Sequence, residues 1–206
     1  MSSPPVRVIK LGGSLLDWPA MPTAFARWLA AQPPAVDVMV VGGGAVVEAI
    51  RSWDRTFTLD PVAMHWLCVR AMSLTAEFAG SLLADARIAH TIRDLRLRVE
   101  GGVQILDVEA FLRADQQRHD PLPCDWSVTS DSIAARVAQA LEAHELALLK
   151  SALPSAAQSR AALAECGYVD RFFPMAPHRL HIRCVNLRDP LFAQIGLDAG
   201  CDRTTA

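Results

Sequence analysis

Lysine is nearly absent from this chain. Of 206 residues, 20 are lysine or arginine, and only Lys10 and Lys150 are lysines. A solvated lysine surface is excluded, so each of the two has to be explained by its own place. The net charge of -2 gives no basic footprint, and no nucleic-acid partner is expected. No apolar run approaches the roughly 20 residues of a membrane span, so no membrane partner is expected either. The first residues lack a charged segment followed by an apolar one, and the expectation is a cytoplasmic protein without a secretory signal. The five cysteines (Cys68, Cys124, Cys166, Cys184 and Cys201) are odd in number and include no C-x-x-C pair. That argues against a disulfide framework and a cysteine metal site and fits reduced thiols. No protein metal ligand is singled out. Repeats, low-complexity segments and composition shifts are also missing, so a single domain over residues 1–206 is expected, with an ordinary hydrophobic share of 51% to build its core.

What is present is an alternation. Val6–Leu11 and Val36–Val41 (VDVMVV) read as strands buried on both faces, and Glu145–Leu149 (ELALL) as a third. Between them lie helical stretches: Met21–Ala31, the segment AVVEAIRSW after Gly44, and the long apolar Asp60–Ala84, with Asp60 as N-cap and Pro61 in the first turn. That long helix is apolar nearly all round and offers a surface to the sheet or to a second subunit. Thr129–Ala143 reads as a helix capped by Thr129 or Ser130, with Asp131 in its first turn. Short strands are expected near Ala89–Arg93, Val103–Leu106 and Leu180–Val185, and short helices near Glu109–Ala114 and Ala156–Cys166. The tail after Gly196 reads as loose. Buried strands alternating with helices predict a three-layer αβα sandwich around a mainly parallel sheet.

The chemistry gathers at strand ends. In open α/β sheets, ligands bind beyond the carboxyl ends of the strands. Three such ends carry Lys10-Leu11-Gly12-Gly13-Ser14, Gly42-Gly43-Gly44 and Lys150. Glycines let backbone N–H groups approach an anion, a following helix N-terminus adds partial positive charge, and a lysine adds a full one. The pattern suits phosphoryl groups. It is not a Walker A loop, since no glycines precede either lysine at that spacing. The dinucleotide fingerprint is met only at Gly42 and Gly44, with Val47 in the third place, so a dinucleotide-dependent oxidoreductase is poorly supported.

The opening K-x-G-G-S after a first strand resembles the start of the amino acid kinase family. VVGGGAVVEAI resembles that family's second glycine turn, TSDSIAARVAQAL its later aspartate-bearing helix, and ELALLK the strand that leads into the nucleotide loop. The resemblance covers about Val6–Lys150 with the motifs in order. Within the family, HWLCVRAMSLTAEFAG, CDWSVTSDSIAA and the compact length are most similar to the short kinases of methanofuran biosynthesis, which phosphorylate an aminomethyl-furanmethanol phosphate. The resemblance implies the amino acid kinase fold, transfer of the γ-phosphoryl of ATP to a small acceptor, Mg²⁺ as companion of ATP, and a homodimer.

Roles follow by the same resemblance. Lys10 would touch the transferring phosphoryl; Gly12, Gly13 and Ser14 would hold the ATP phosphates. Gly42, Gly43 and Gly44 would serve the acceptor side and the γ-phosphate, and Asp131 would orient a lysine or a metal-bound phosphate. Arg51, Arg55, His65 and Arg70 are candidates to meet an anionic group of the acceptor, arginine because its planar fork binds two oxygens. Trp126 is expected to pack. Departures from the family begin after about residue 150. No lysine stands downstream, and KSALPSAA occupies the place of the nucleotide loop. Either Lys150 has taken over a phosphate contact, or the nucleotide half is degenerate and the chain is a noncatalytic binding module for a small molecule or oxyanion.

Overall fold

A computed structural model describes residues 4–97, 102–154, 159–177 and 179–197 of the chain. Its seven strands are β1 (Val6–Leu11), β2 (Val36–Val41), β3 (Arg87–Ala89), β4 (Val103–Leu106), β5 (Glu145–Lys150), β6 (His181–Asn186) and β7 (Gln194–Leu197). They form one sheet in the order β3-β4-β2-β1-β5-β6-β7. Every pairing is parallel except β6 with β7. The helices are α1 (Met21–Ala30), α2 (Gly44–Phe57), α3 (Pro61–Leu82), α4 (Val108–Asp115), α5 (Ser130–Ala140) and α6 (Arg160–Glu165). The expected αβα architecture is present.

Strand parity divides the core in two. Val8, Val38, Val40, Leu146 and Leu148 pack with Ile133, Ala134 and Val137 of α5. Their neighbours Ile9, Leu11, Met39, Ala147 and Leu149 pack on the other face with Met21, Phe25 and Trp28 of α1. Successive strand residues point to opposite faces. Lys10 therefore shares the face of Val8, and Lys150 that of Leu148, so both lysines look toward α5.

The opposite parity carries a second set of charges, at the amino ends and on the α1 face. Arg7 donates to Asp37 Oδ1 at 2.7 Å and to the Pro33 carbonyl at 3.0 Å. Arg183 donates to Glu145 Oε1 at 2.6 Å and to Gln194 at 3.1 Å. Both guanidinium groups lie over the Trp28 ring, at 6.0 and 5.6 Å from its centroid. Burial raises the Asp37 carboxyl above its ordinary range, and the Arg7 hydrogen bond offsets part of that.

Several boundaries differ from the sequence reading, each for a local reason. The strand expected near Ala89–Arg93 stops at Ala89, because Asp94 Oδ2 accepts from both the N–H and hydroxyl of Thr91 and winds a 3-10 turn. The helix after Thr129 ends at Ala140 rather than Ala143, since Glu142 takes a positive φ of 49°. The helix expected over Ala156–Cys166 is the shorter α6, capped by Ser159, and residues 156–158 lie outside the described set. β7 was not anticipated; the tail expected to be loose lies, from residue 198, outside the described residues.

Candidate functional site

Lys10 and Lys150 converge on one carboxylate. Lys10 Nζ lies 2.9 Å from Asp131 Oδ1, and Lys150 Nζ lies 3.0 Å from Asp131 Oδ2. Lys10 and Asp131 are each 5% exposed. Burial by itself would raise the Asp131 carboxyl; the two ammonium groups outweigh it and hold the group below its ordinary range. Burial pushes the Lys150 ammonium down, and Asp131 restores only part of the loss. Two cations against one anion leave the cluster with an unbalanced positive charge.

Around the cluster stand the glycine turns. β1 runs into a 3-10 turn, Gly13–Leu15, and β2 into α2; neither start has a side-chain cap. The first N–H groups of a helix have no partner within it, so those of the exposed Ala45 and Val46 remain available to an anion. The N–H groups of Gly12 and Gly42 are already spent on the carbonyls of Leu149 and Leu11. They shape the turns and do not serve as phosphate donors, which corrects their expected part. The two turns touch. A Cβ on Gly13 would fall 2.2 Å from the Gly44 nitrogen, and Gly44 has a φ of +53°. The third glycine of the second turn thus answers first to the neighbouring turn, a constraint that a single turn read alone does not reveal.

The segment after α6 supplies partners that the sequence did not single out. Lys150 donates to the carbonyl of Tyr168, and its ammonium lies 4.4 Å from the centre of that ring. Asp170 fastens α5 by accepting from the N–H groups of Thr129 and Ser132 at 2.9 and 3.0 Å and from both their hydroxyls. It also takes the N–H groups of Phe172 and Phe173. Ser14 meets the Ser151 hydroxyl at 3.3 Å, and Arg188 donates to the Ser14 carbonyl. Arg188 was legible in one respect: it follows the carboxyl end of β6 much as Lys150 closes β5.

The acceptor candidates separate. Arg51 and His65 line a cavity of about 60 Å³ beside Gly43, with Asp125, Trp126 and Ser130. Arg51 pairs with Glu48 at 2.9 Å and lies 4.9 Å over the Trp126 ring, whose Nε1 donates to Asp54 at 2.8 Å. His65 is 7% exposed, and burial lowers its imidazole below the ordinary range, with Asp125 opposing. A neutral ring facing a carboxylate is unsuited to the anion contact expected of it. Arg55 lines an open cleft together with Arg171, and Arg51 and Trp126 border the same cleft. Arg70 is exposed on α3, beside the inward-facing Val69, and lines none of the described cavities.

The residues fit a polyphosphate: surplus ammonium charge stands beside uncapped N–H groups. For a magnesium ion they offer little, because both oxygens of Asp131 already face lysines. No group of three or more His, Cys, Asp or Glu side chains placed to hold a metal occurs among the described residues. No described helix is long and apolar enough to cross a membrane.

No family model matches the sequence, and no curated protein matches it. Solved structures do. The uridylate kinase of Archaeoglobus fulgidus aligns over 86% of this chain and 88% of its own, at 17% identity and a TM-score of 0.56. The UMP kinase of Ureaplasma parvum aligns over 90% and 91%, at 14% identity and a TM-score of 0.60. The aspartate kinase of Synechocystis aligns over 95% of this chain and 40% of its own, at 13% identity and a TM-score of 0.59. These are proteins of the amino acid kinase fold, and the chain shares that fold.

Proposed function

We propose that the protein is an ATP-dependent kinase that transfers the γ-phosphoryl group to a small acceptor. The observation that carries this reading is the pair of ammonium groups from adjacent strand ends, held by one buried carboxylate beside two uncapped glycine turns. In the transfer, an acceptor oxygen forms a bond to the γ-phosphorus as the bond to the β–γ bridging oxygen breaks, and ADP leaves. Such transfer needs positioning and charge neutralisation more than covalent help. Lys10 and Lys150 supply the charge, and Asp131 keeps them from separating. The free N–H groups at the start of α2, with those of Gly13 and Ser14, hold phosphoryl oxygens. Mg²⁺ accompanies ATP and is held by phosphate oxygens and water.

The acceptor we favour is a phosphate monoester of the aminomethyl-furanmethanol type, which would become a diphosphate. Its support is the resemblance of residues 65–80 and 124–135 to the kinases of methanofuran biosynthesis. The domain is read as one unit with a shortened nucleotide half, in which Lys150 replaces the missing downstream lysine, and the protein as cytoplasmic. A homodimer through α2 and α3 is part of the reading: Trp53, Phe57, Leu74 and Phe78 are exposed there. A sedimentation measurement giving the monomer mass would remove that part.

The decisive experiment is a phosphotransfer assay with ATP, magnesium and a panel of small phosphate monoesters and amines. Transfer to at least one phosphate monoester is expected. The alternative, a noncatalytic binding module, is favoured by the short segment that follows β5. Absence of nucleotide affinity at millimolar ATP with magnesium would select it.

A further inference from the structure

A third cation stands at the carboxyl end of the sheet, on the side away from α5. Resting on the phosphotransfer reading for the identity of the ligand as ATP, we infer that Arg188 is a nucleotide-binding residue. Its guanidinium holds phosphate oxygens of ATP from the side opposite Lys10 and Lys150.

The loop after β6 fixes its place. The Leu187 N–H donates to the Lys150 carbonyl at 2.9 Å, and the Asp189 N–H to the Asn186 carbonyl at 3.3 Å. The Arg188 N–H donates to Asn186 Oδ1 at 3.0 Å. The main chain at Arg188 is thereby tied to the end of β5, beside the second lysine. From there the side chain reaches back toward β1. Nη2 donates to the Ser14 carbonyl at 3.3 Å, in the turn that follows β1, and the guanidinium carbon lies 5.6 Å from the centre of the Trp18 ring. The strand order β1-β5-β6 makes this a span over one intervening strand. Ser151, at the end of that strand, meets the Ser14 hydroxyl at 3.3 Å.

The donors of Arg188 are mostly unspent. A guanidinium has five N–H donors and no acceptor. The Ser14 carbonyl takes from one nitrogen, Trp18 lies against a face, and no carboxylate pairs with Arg188 among the described residues. Asp189, its neighbour in the chain, spends Oδ1 on the Leu191 N–H. Arg7 and Arg183, at the amino ends, each have a carboxylate within 2.7 Å. A carbonyl and an indole orient a guanidinium without neutralising it, and leave free the planar fork that suits phosphate. Its side of the sheet completes the case. The lysines look toward α5, whereas Trp18 packs on the core of the α1 face. Phosphates lying over the ends of β1 and β5 would have ammonium groups on one side and the guanidinium on the other. β6 is separated from β2 and its glycine turn by β5 and β1, so the guanidinium meets the nucleotide rather than the acceptor.

The test compares the full chain with Arg188→Ala and Arg188→Lys, by titration calorimetry with magnesium ATP and with tripolyphosphate. Arg188→Ala is expected to weaken binding of both by about tenfold to a hundredfold, the scale of one hydrogen bond to a charged group. Arg188→Lys, which keeps the charge and loses the fork, should fall between alanine and wild type. In the phosphotransfer assay the KM for ATP should rise by the same factor, with kcat and the acceptor KM unchanged, which is the mark of a contact made equally before and during transfer. Arg188 is exposed, and the melting temperature of Arg188→Ala should match wild type. Undiminished tripolyphosphate binding in Arg188→Ala, a lysine variant no better than alanine, or a rise in the acceptor KM in place of the ATP KM would each overturn the inference. So would a wild-type protein that binds neither ATP nor tripolyphosphate. A wild-type protein that binds ATP and transfers nothing fails the phosphotransfer reading alone, and the calorimetric comparison still decides the part of Arg188.

Discussion

At the amino ends of β1, β2, β5 and β6, two arginines meet two carboxylates; at the carboxyl ends of β1 and β5, two lysines share one. The first set is balanced. Each guanidinium has a carboxylate within 2.7 Å and a further acceptor, and an indole covers both. The second set carries a surplus positive charge, and the uncapped N–H groups around it add to the imbalance. A buried charge network that is complete by itself holds a fold together. One left short of an anion is arranged to receive an anion.

That contrast can be broken by exchanging effects between the ends. The largest expected change is from Lys10→Ala, which should lower phosphotransfer by about 10³-fold, the scale of removing one preorganised charge-stabilising group. Its melting temperature should stay within a few degrees of wild type, because Asp131 keeps Lys150. Arg7→Met should do the reverse. It leaves Asp37 buried without its partner, which costs about 3–5 kcal/mol and lowers the melting temperature by about 10 °C, with kcat unchanged. Calorimetry and a coupled ADP assay on the two variants decide the matter. Loss of activity in Arg7→Met at temperatures where it is folded would dissolve the distinction.

A smaller effect sharpens the comparison. Lys150→Met removes the surplus ammonium and leaves Lys10 paired one to one with Asp131. Transfer should fall about 10²-fold while the melting temperature holds or rises. The pH profile carries the same information. Burial lowers the Lys150 pKa, so its proton is lost below the ordinary lysine value of about 10.4. Transfer should decline with rising pH before that value is reached. Lys150→Arg, which stays charged, should abolish that decline. An alkaline limb unchanged in Lys150→Arg would show that Lys150 is not the titrating group.

Much of this was legible where periodicity carries information. Val6–Leu11 and Val36–Val41 fall on the expected residues, and the parity of Lys10 with Val8 and of Lys150 with Leu148 already aims both lysines at one face. Asp131 stood out as a first-turn acid on the helix covering that face. Tyr168 and Asp170 were not legible. They act from an irregular segment, across 18 and about 40 residues of chain, through a carbonyl and a carboxylate that leave no pattern. β7 escaped for a related reason: it is a short edge strand with one buried residue, entered after Phe192 at a positive φ of 53°. His65 was noticed as a polar residue in an apolar helix, but the charge near it comes from Asp125, a loop residue 60 positions away.

Gly13 and Gly44 meet backbone to backbone, with no side chain between them. The spacing of the two glycine turns is therefore a property of the main chain, and ordinary point mutation cannot tune it by small steps. On the phosphotransfer reading, acceptors of different length would have to be accommodated farther out, by replacing side chains at the rim, and a scaffold gauged in this way would keep its transfer distance constant while its choice of acceptor drifts.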